Sequence, residues 1–385
     1  SYLEKLLDGV EVEWLPLGEV SALRRGRVMS KGYLTENFGP YPVYSSQTAN
    51  NGKIGSINTF DFDGEYISWT TDGANAGTVF YRTGKFSITN VCGLITLKSK
   101  YSLIYKFLFY WLTIEAKKHV YSGMGNPKLM SHQVENIPVP IPCPDNPEKS
   151  LAIQSEIVRI LDTFSALTAE LTAELTAELN MRKKQYNYYR DQLLSFNTED
   201  VPHLPMGQKD IGEFIRGGTF QKKDFIDAGV GCIHYGQIYT YYGTYTEKTK
   251  TYISTALAKK CKKAQKGDLI IATTSENDED VCKAVAWLGS EDIAVSSDAC
   301  IYKHNLNPKY VSYFFQTEQF QNQKRQYITG AKVRRVNADN LSKILIPVPS
   351  MEIQERIVSI LDKFDTLTNS ITEGLPREIE LRQKQ

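Results

Sequence analysis

Between Ile153 and Leu179 the apolar positions are Ile153, Ile157, Ile160, Phe164, Leu167, Leu171, Leu175 and Leu179. The steps alternate between four and three residues, then run four and four. Such spacing keeps one stripe on one face of a helix. The first part is a heptad seam, which predicts packing along a second helix. The later four-residue steps are stutters, which unwind a coiled coil locally without breaking its stripe. They come from LTAELTAELTAEL (Leu167–Leu179), one four-residue phrase repeated. The same pattern returns at Ile353, Ile357, Ile360, Phe364, Leu367, Ile371, Leu375 and Ile379. IQSEIVRILDTFSALT (Ile153–Thr168) and IQERIVSILDKFDTLT (Ile353–Thr368) agree at ten of sixteen positions.

The segments before each helix also correspond. SGMGNPKLMSHQVENIPVPIP (Ser122–Pro142) aligns without gaps to TGAKVRRVNADNLSKILIPVP (Thr329–Pro349). GEYISWTT (Gly64–Thr71) resembles GDLIIATT (Gly267–Thr274), YPVYSSQ (Tyr41–Gln47) resembles GCIHYGQ (Gly231–Gln237), and LRRGRVMSK (Leu23–Lys31) resembles FIRGGTFQK (Phe214–Lys222). A chain that repeats itself in order is a duplicated architecture. The expected organisation is a globular unit over 1–149, a helix over 150–197, a second unit over 198–349 and a second helix over 350–385. SYLEKLLDG at the start matches the tail of the first helical repeat through Tyr2, Leu6 and Leu7, as LPLG (Leu15–Gly18) matches LPMG (Leu204–Gly207). Residues 1–8 are therefore expected to complete the second spacer in a circular order, with the two helices antiparallel.

Within the units, GTVFYRTGKFSIT, VCGLITLK, DLIIATT and VCKAVAWL read as strands. Amphipathic helices are expected at Tyr105–Lys118 and Pro308–Lys324, and short prolyl strands at IPVPIP and ILIPVP. Pro376 in GLP should kink the second long helix. The fold class is thus α+β: two globular α/β units separated by two long antiparallel coiled-coil helices in a pseudo-two-fold arrangement.

Composition changes little in this picture. The 385 residues suffice for two or three domains with buried cores. No stretch approaches the roughly 20 apolar residues that span a bilayer. Six scattered cysteines without C-x-x-C spacing read as reduced thiols of a cytoplasmic protein, not as a disulfide frame or metal site. The net charge is only +1, so any nucleic-acid binding must come from local clusters.

Catalytic signatures are missing. TGKFS (Thr83–Ser87) lacks the upstream glycine of a phosphate loop, and GMGNPK (Gly123–Lys128) is no dinucleotide fingerprint. There is no nucleophile elbow, no H-E-x-x-H and no Asn/Asp-Pro-Pro-aromatic tetrapeptide beside which an amino-methyltransferase holds its base. These absences argue against an enzyme and against a metal site in this chain.

Basic and amide-rich loops are the better candidates. In the first unit they comprise Arg24, Arg25, Arg27 and Lys31; Ser45, Ser46, Gln47, Asn50, Asn51 and Lys53; Thr70, Thr71 and Asn75; and Asn126 and Lys128. The second unit has Arg216, Thr219, Lys222 and Lys223; Tyr235 and Gln237; Thr273 and Thr274; and Lys332, Arg334 and Arg335. Arginine pairs bidentately with guanine, Asn and Gln with adenine, while Lys, Ser and Thr hold phosphates. Clusters at matching places in both units point to DNA. KKCKKAQK (Lys259–Lys266) serves equally as a backbone contact or as solvated surface. SENDED (Ser275–Asp280) should point away from phosphates.

Two variable units, near-duplicate helices, a circular order and TAEL phrases resemble the DNA-specificity subunit of type I restriction-modification systems, of the IC-like class. The resemblance covers the whole chain. It implies a non-catalytic chain with one target-recognition domain for each half of a bipartite double-stranded DNA site. It also implies two methyltransferase subunits docked along Ile157, Ile160, Phe164, Leu167, Leu171, Leu175 and Leu179 and along Ile357, Ile360, Phe364, Leu367 and Ile371. S-adenosylmethionine is then expected on those subunits, and ATP with Mg on motor-nuclease subunits, with no cofactor on this chain. The alternative from the residues alone is a non-DNA scaffold carrying two ligand-binding modules on a coiled coil.

Overall fold

The computed structural model describes residues 2–369 and 374–383. The chain divides into two compact units, Ser1–Ala169 and Glu170–Gln385. The boundary falls inside one α-helix, Pro147–Leu193, of 47 residues. At about 1.5 Å per residue this helix is about 70 Å long.

The first unit is built on a six-stranded sheet. Its order is Ser21–Arg25, Cys92–Leu97, Phe62–Thr70, Val79–Ile88, Phe38–Tyr44, Lys53–Ile57. Neighbours are antiparallel, except that Phe38–Tyr44 runs parallel to Val79–Ile88. Strand side chains alternate between faces, and here both faces are covered. Ile67, Trp69 and Ile95 join Leu108 and Leu112 of the helix Tyr105–Glu115, while Phe62, Phe86, Ile88 and Leu94 form a second cluster. Trp69 lies over Gly93, where a side chain would collide with the indole, and donates Nε1–H to the Leu129 carbonyl at 2.8 Å.

The second unit repeats this frame. Gly212–Arg216, Ala299–His304, Leu269–Ala272 and Ala284–Trp287 stand in the order of their four counterparts, followed by Tyr245–Thr246. A four-stranded sheet, Thr251–Ile253, Val230–Ile233, Ile293–Val295 and Lys263–Ala264, extends it. Leu269 and Ile271 face one core and Ile270 and Ala272 another, so the strand is apolar throughout and not alternating. The prolyl segments are strands, as expected, and they pair, Val12–Pro16 with Pro138–Pro142 and His203–Pro205 with Leu345–Pro347. Both are two-stranded ribbons, where proline's missing N–H costs no central ladder bond.

Each long helix is seated on its own unit by an identical set of polar contacts. Gln154 accepts the Ile104 N–H at 2.8 Å, and Gln354 accepts that of Asn307 at 2.9 Å. Both glutamines are buried. Asp162 accepts from Tyr110 and Lys106 at 2.5 and 2.9 Å, and Asp362 from Tyr313 and Lys309 at 2.6 and 2.8 Å. Burial and the Asp362 hydrogen bond push the Tyr313 phenol far above its ordinary value, so it remains a donor.

Three helical expectations need correction. Pro308–Lys324 is two helices, Pro308–Phe314 and Glu318–Lys324, because Thr317 caps a new start by accepting the Phe320 N–H at 3.2 Å. Within the second long helix Gly374 has φ of 72°, which is not helical. The helix is described as Met351–Asn369 and Gly374–Gln383. Pro376 therefore lies in the first turn of a separate helix, where its missing N–H is harmless, and makes no mid-helix kink.

The seam residues were expected to serve the spacer and partner docking. Phe164, Leu167 and Leu171 are 63, 49 and 40% exposed, and Ile360, Phe364 and Leu367 are 38, 42 and 49% exposed. Leu175 and Leu179 are half-buried, as are Ile157 and Ile160. Ile357 is buried in its own unit's core with Val358 and Leu361, which removes it from any docking surface. Gln354, Ile357, Val358 and Leu361 turn inward, and the neighbouring stripe turns out. Ile371 lies outside the described residues.

One close approach fixes each unit. A methyl group on Gly26 would stand 2.1 Å from the Thr89 carbonyl oxygen, and one on Gly217 2.0 Å from that of Ser296. The obstacle is backbone, which cannot yield as a side-chain tip can. Gly217→Ala is expected to destabilise the second unit by roughly 1–3 kcal/mol, read as a lower urea midpoint. Gly243→Ala, with nothing within 4 Å, should leave the midpoint in place.

Candidate nucleic-acid interface

Arg25 ends the first strand of the first sheet. Its Nη2 donates to Thr71 Oγ1 at 3.1 Å and to the Asn90 carbonyl at 2.9 Å. The segment behind Thr71 is tied to the loop 122–128: Leu129 N–H donates to the Thr71 carbonyl at 2.8 Å and Gly73 N–H to that of Pro127 at 3.0 Å. Asn75 donates to the Ser46 carbonyl at 2.8 Å, which brings in the loop 45–53. Loops scattered over a hundred residues thus meet beside Arg25. Asn126 and Lys128 are exposed there, as are Asn50 and Asn51.

Several candidates build this surface without presenting themselves. Thr70 and Thr71 are buried, so their side chains support the loop. Gln47 is taken up by the carbonyls of Lys53 and Ala49, and Ser45 by Thr89 Oγ1 at 2.8 Å. Asn50 and Asn51 have φ of 50° and 55°, a left-handed conformation that asparagine tolerates better than most residues. Their turn is held by Arg82, which the sequence reading missed. Buried Arg82 donates to the Asn51 carbonyl at 2.7 Å and to Ser68 Oγ at 3.1 Å, with its guanidinium 3.5 Å from the centre of the Tyr44 ring. Burial lowers its pKa to about 10, still charged at neutral pH.

Arg24 points the other way, as strand alternation requires, and lies over Phe62 at 5.6 Å. It does not belong with Arg25. Arg27 donates to Asp61 at 2.8 Å and stands over the Tyr33 ring, and those hydrogen bonds raise its pKa. Tyr33 and exposed Lys31 share the helix Lys31–Glu36, so Arg27 and Lys31 form a separate small group.

In the second unit Arg216 takes the place of Arg25. It donates to the Ser297 carbonyl at 3.3 Å, the counterpart of Asn90. Thr273 donates to the Asp298 carbonyl as Thr71 does to that of Val91, and Val336 donates to Thr273 as Leu129 does to Thr71. The hairpin strand Arg334–Arg335 pairs with Thr274–Ser275. Arg334 is 2.8 Å from Asp278 and Arg335 3.6 Å from Asp298. The acidic run therefore does not turn away from the basic surface; one of its aspartates is bonded to it. Thr219, Lys222, Lys223 and Lys332 are exposed. Tyr235 is anchored to Ser296 Oγ at 2.8 Å, beside the ring of His234. Burial and nearby Lys222 hold the His234 pKa below its usual range. Gln237 and Thr274 are buried; Gln237 caps the helix Tyr235–Thr240 and bonds Thr251, so it is a supporting residue.

Two short alignments are displaced by one residue. Thr89 N–H donates to the Tyr44 carbonyl and Ser296 N–H to that of Ile233, so Tyr44, and not Val43, matches Ile233. Likewise Thr71 matches Thr273, and not Thr274. Among the described residues no group of three or more His, Cys, Asp and Glu could hold a metal, and all six cysteines are free. No described helix is long and apolar enough to cross a membrane.

The arrangement is a pair of loop-built surfaces bearing arginines and lysines on equivalent frames. Comparison with known proteins agrees. The type I restriction modification DNA specificity domain matches residues 9–181 and again 205–381. The chain is 38% identical to the EcoR124I/EcoR124II specificity subunit of Escherichia coli, covering 100% of this chain and 94% of that one. It is 34% identical to a putative type I restriction enzyme specificity subunit of Haemophilus influenzae, covering 100% and 95%. A chain solved in work on complex assembly and conformational transition of the type I R-M system shares the fold, with a TM-score of 0.66 at 13% identity, over 97% of this chain and 95% of that one. Two DNA specificity domains, duplicated frames and full-length relatives together show that the chain belongs to the non-catalytic specificity subunits of type I restriction-modification systems.

Proposed function

We propose that each unit reads one half of a bipartite double-stranded DNA site, and that the long helices fix the distance between the halves. The observation that carries this reading is the equivalence of Arg25 and Arg216, each at a strand end beside a glycine packed on backbone, each donating to the equivalent carbonyl, Asn90 or Ser297. A strand end is a rigid mount, and the loops around it are free to vary the bases read.

The exposed stripes Phe164, Leu167, Leu171 and Ile360, Phe364, Leu367 are then the surfaces on which the two helices pack on each other and two methyltransferase subunits dock. Large exposed apolar patches are unfavourable in a free chain and mark such contacts. Methyl transfer from S-adenosylmethionine belongs to those subunits, and ATP-driven translocation and cleavage to motor-nuclease subunits of the full complex. The working compartment is the cytoplasm, where bacterial DNA lies.

The test is a binding series on the chain assembled with its methyltransferase subunits, using random duplex at increasing salt. Log affinity should fall linearly with log salt through counterion release. Binding that is absent, or indifferent to salt, contradicts the reading.

A further inference from the structure

Of the six candidate arginines, four are held by an aspartate remote in sequence. Arg25 lies 3.9 Å from Asp72, Arg27 2.8 Å from Asp61, Arg334 2.8 Å from Asp278 and Arg335 3.6 Å from Asp298. The pattern occurs in both units, although the aspartates come from different places in the frame. Asp72 also accepts from Thr71 Oγ1 at 2.6 Å, and Asp298 from Thr274 Oγ1 at 3.5 Å, so these two carboxylates are fixed by a second bond. The aspartate side chains are 31 to 56% exposed, at the surface that a duplex must approach.

We infer that Asp61, Asp72, Asp278 and Asp298 are specificity-determining residues, which restrain these arginines from non-specific phosphate contact. The inference rests on the DNA-reading function proposed above. An exposed ion pair is weak enough to exchange. A phosphate that takes the arginine must approach a carboxylate of like charge, and repulsion of that kind discriminates against a partner. A base edge carries no net charge. Guanine O6 and N7 take two of the five guanidinium N–H groups and leave others for the aspartate. The carboxylate therefore opposes phosphate contact more than base contact, and it aims the fork besides. The net charge of +1 follows naturally for such a chain.

The experiment uses the full chain with its methyltransferase subunits, two probes and a salt series. One probe is random-sequence duplex, and the other carries the site identified by methylation mapping. Asp72→Asn, Asp278→Asn and Asp298→Asn are each expected to tighten random-duplex binding roughly tenfold at about 0.1 M salt, and to steepen its salt slope by about one. Site binding should change by less than about threefold, so the ratio of site to random affinity falls. Asp200→Asn removes the same charge from an exposed residue without an arginine partner, and should alter neither. Unchanged or weaker random-duplex binding, with site binding lost in parallel, makes the aspartates mere supports and overturns this inference alone. A wild-type complex that binds no duplex overturns the DNA reading and this inference with it.

Discussion

Deleting Thr168–Leu171 from the long helix is expected to abolish methylation at the natural site and to create methylation at a new one. The new site keeps both half-sequences and has an unread gap shorter by one or two base pairs. Four helical residues advance about 6 Å and turn about 400°, a net rotation near 40°. B-DNA rises about 3.4 Å per base pair and completes a turn in about 10. One phrase therefore matches one to two base pairs in length and about one in twist. The deleted segment is mid-helix with residues 169–171 exposed, and leucine recurs every fourth residue, so the stripe closes again through Leu175. The seats at Gln154, Asp162 and Tyr186 lie outside it. Methylation mapping of cells carrying the variant gives the answer, and an unchanged gap removes the helix from the role of spacer.

Arg25→Ala and Arg216→Ala are each expected to weaken recognition of a different half-site, with the other half untouched. A bidentate arginine–guanine contact is worth about 1–3 kcal/mol, hence roughly 10- to 100-fold in affinity for that half. Arg25→Lys keeps the charge and loses the planar fork, so it should behave like alanine in base discrimination and like wild type in salt slope. Duplexes bearing single substitutions in one half, titrated against each variant, separate the two units. Equal loss at both halves from one substitution shows that the units do not read independently.

The duplication was legible because it is written in long, gap-free blocks. From Leu129 and Val336 onward the segments match bond for bond, Val134 on Leu341, while the hairpin before them is closed by Tyr121 and Lys128 in the first unit and by Thr329 and Arg335, one residue closer together, in the second. Shorter blocks slipped. In Tyr41–Gln47 and Gly64–Thr71 the strand period is two, so a displacement of one residue still matches small polar residues while exchanging the faces. The break at Thr317 was hidden because apolar spacing continues across it, and only the capping bond reveals the new helix start. Arg24 and Arg25 could be named but not separated, since their division depends on which face the neighbouring strand covers. Arg82, Asp61, Asp72 and Asp298 carried no local signal at all. Each meets its partner only through the sheet or the loops that the sheet brings together.

The stripes on the long helices show how far pattern reading extends. Periodicity placed an apolar stripe on each helix, yet it could not say which of two adjacent faces docks on the home unit. Ile357 turned inward and Ile360 outward, a difference settled by the seat of Gln354 and Leu361.

The most direct measurement is a base-resolution methylation map of a genome in which this chain supplies the only specificity subunit. Two short fixed sequences, separated by a gap of constant length and unconstrained composition, are the predicted result. A single uninterrupted motif, or two motifs at variable separation, contradicts the account.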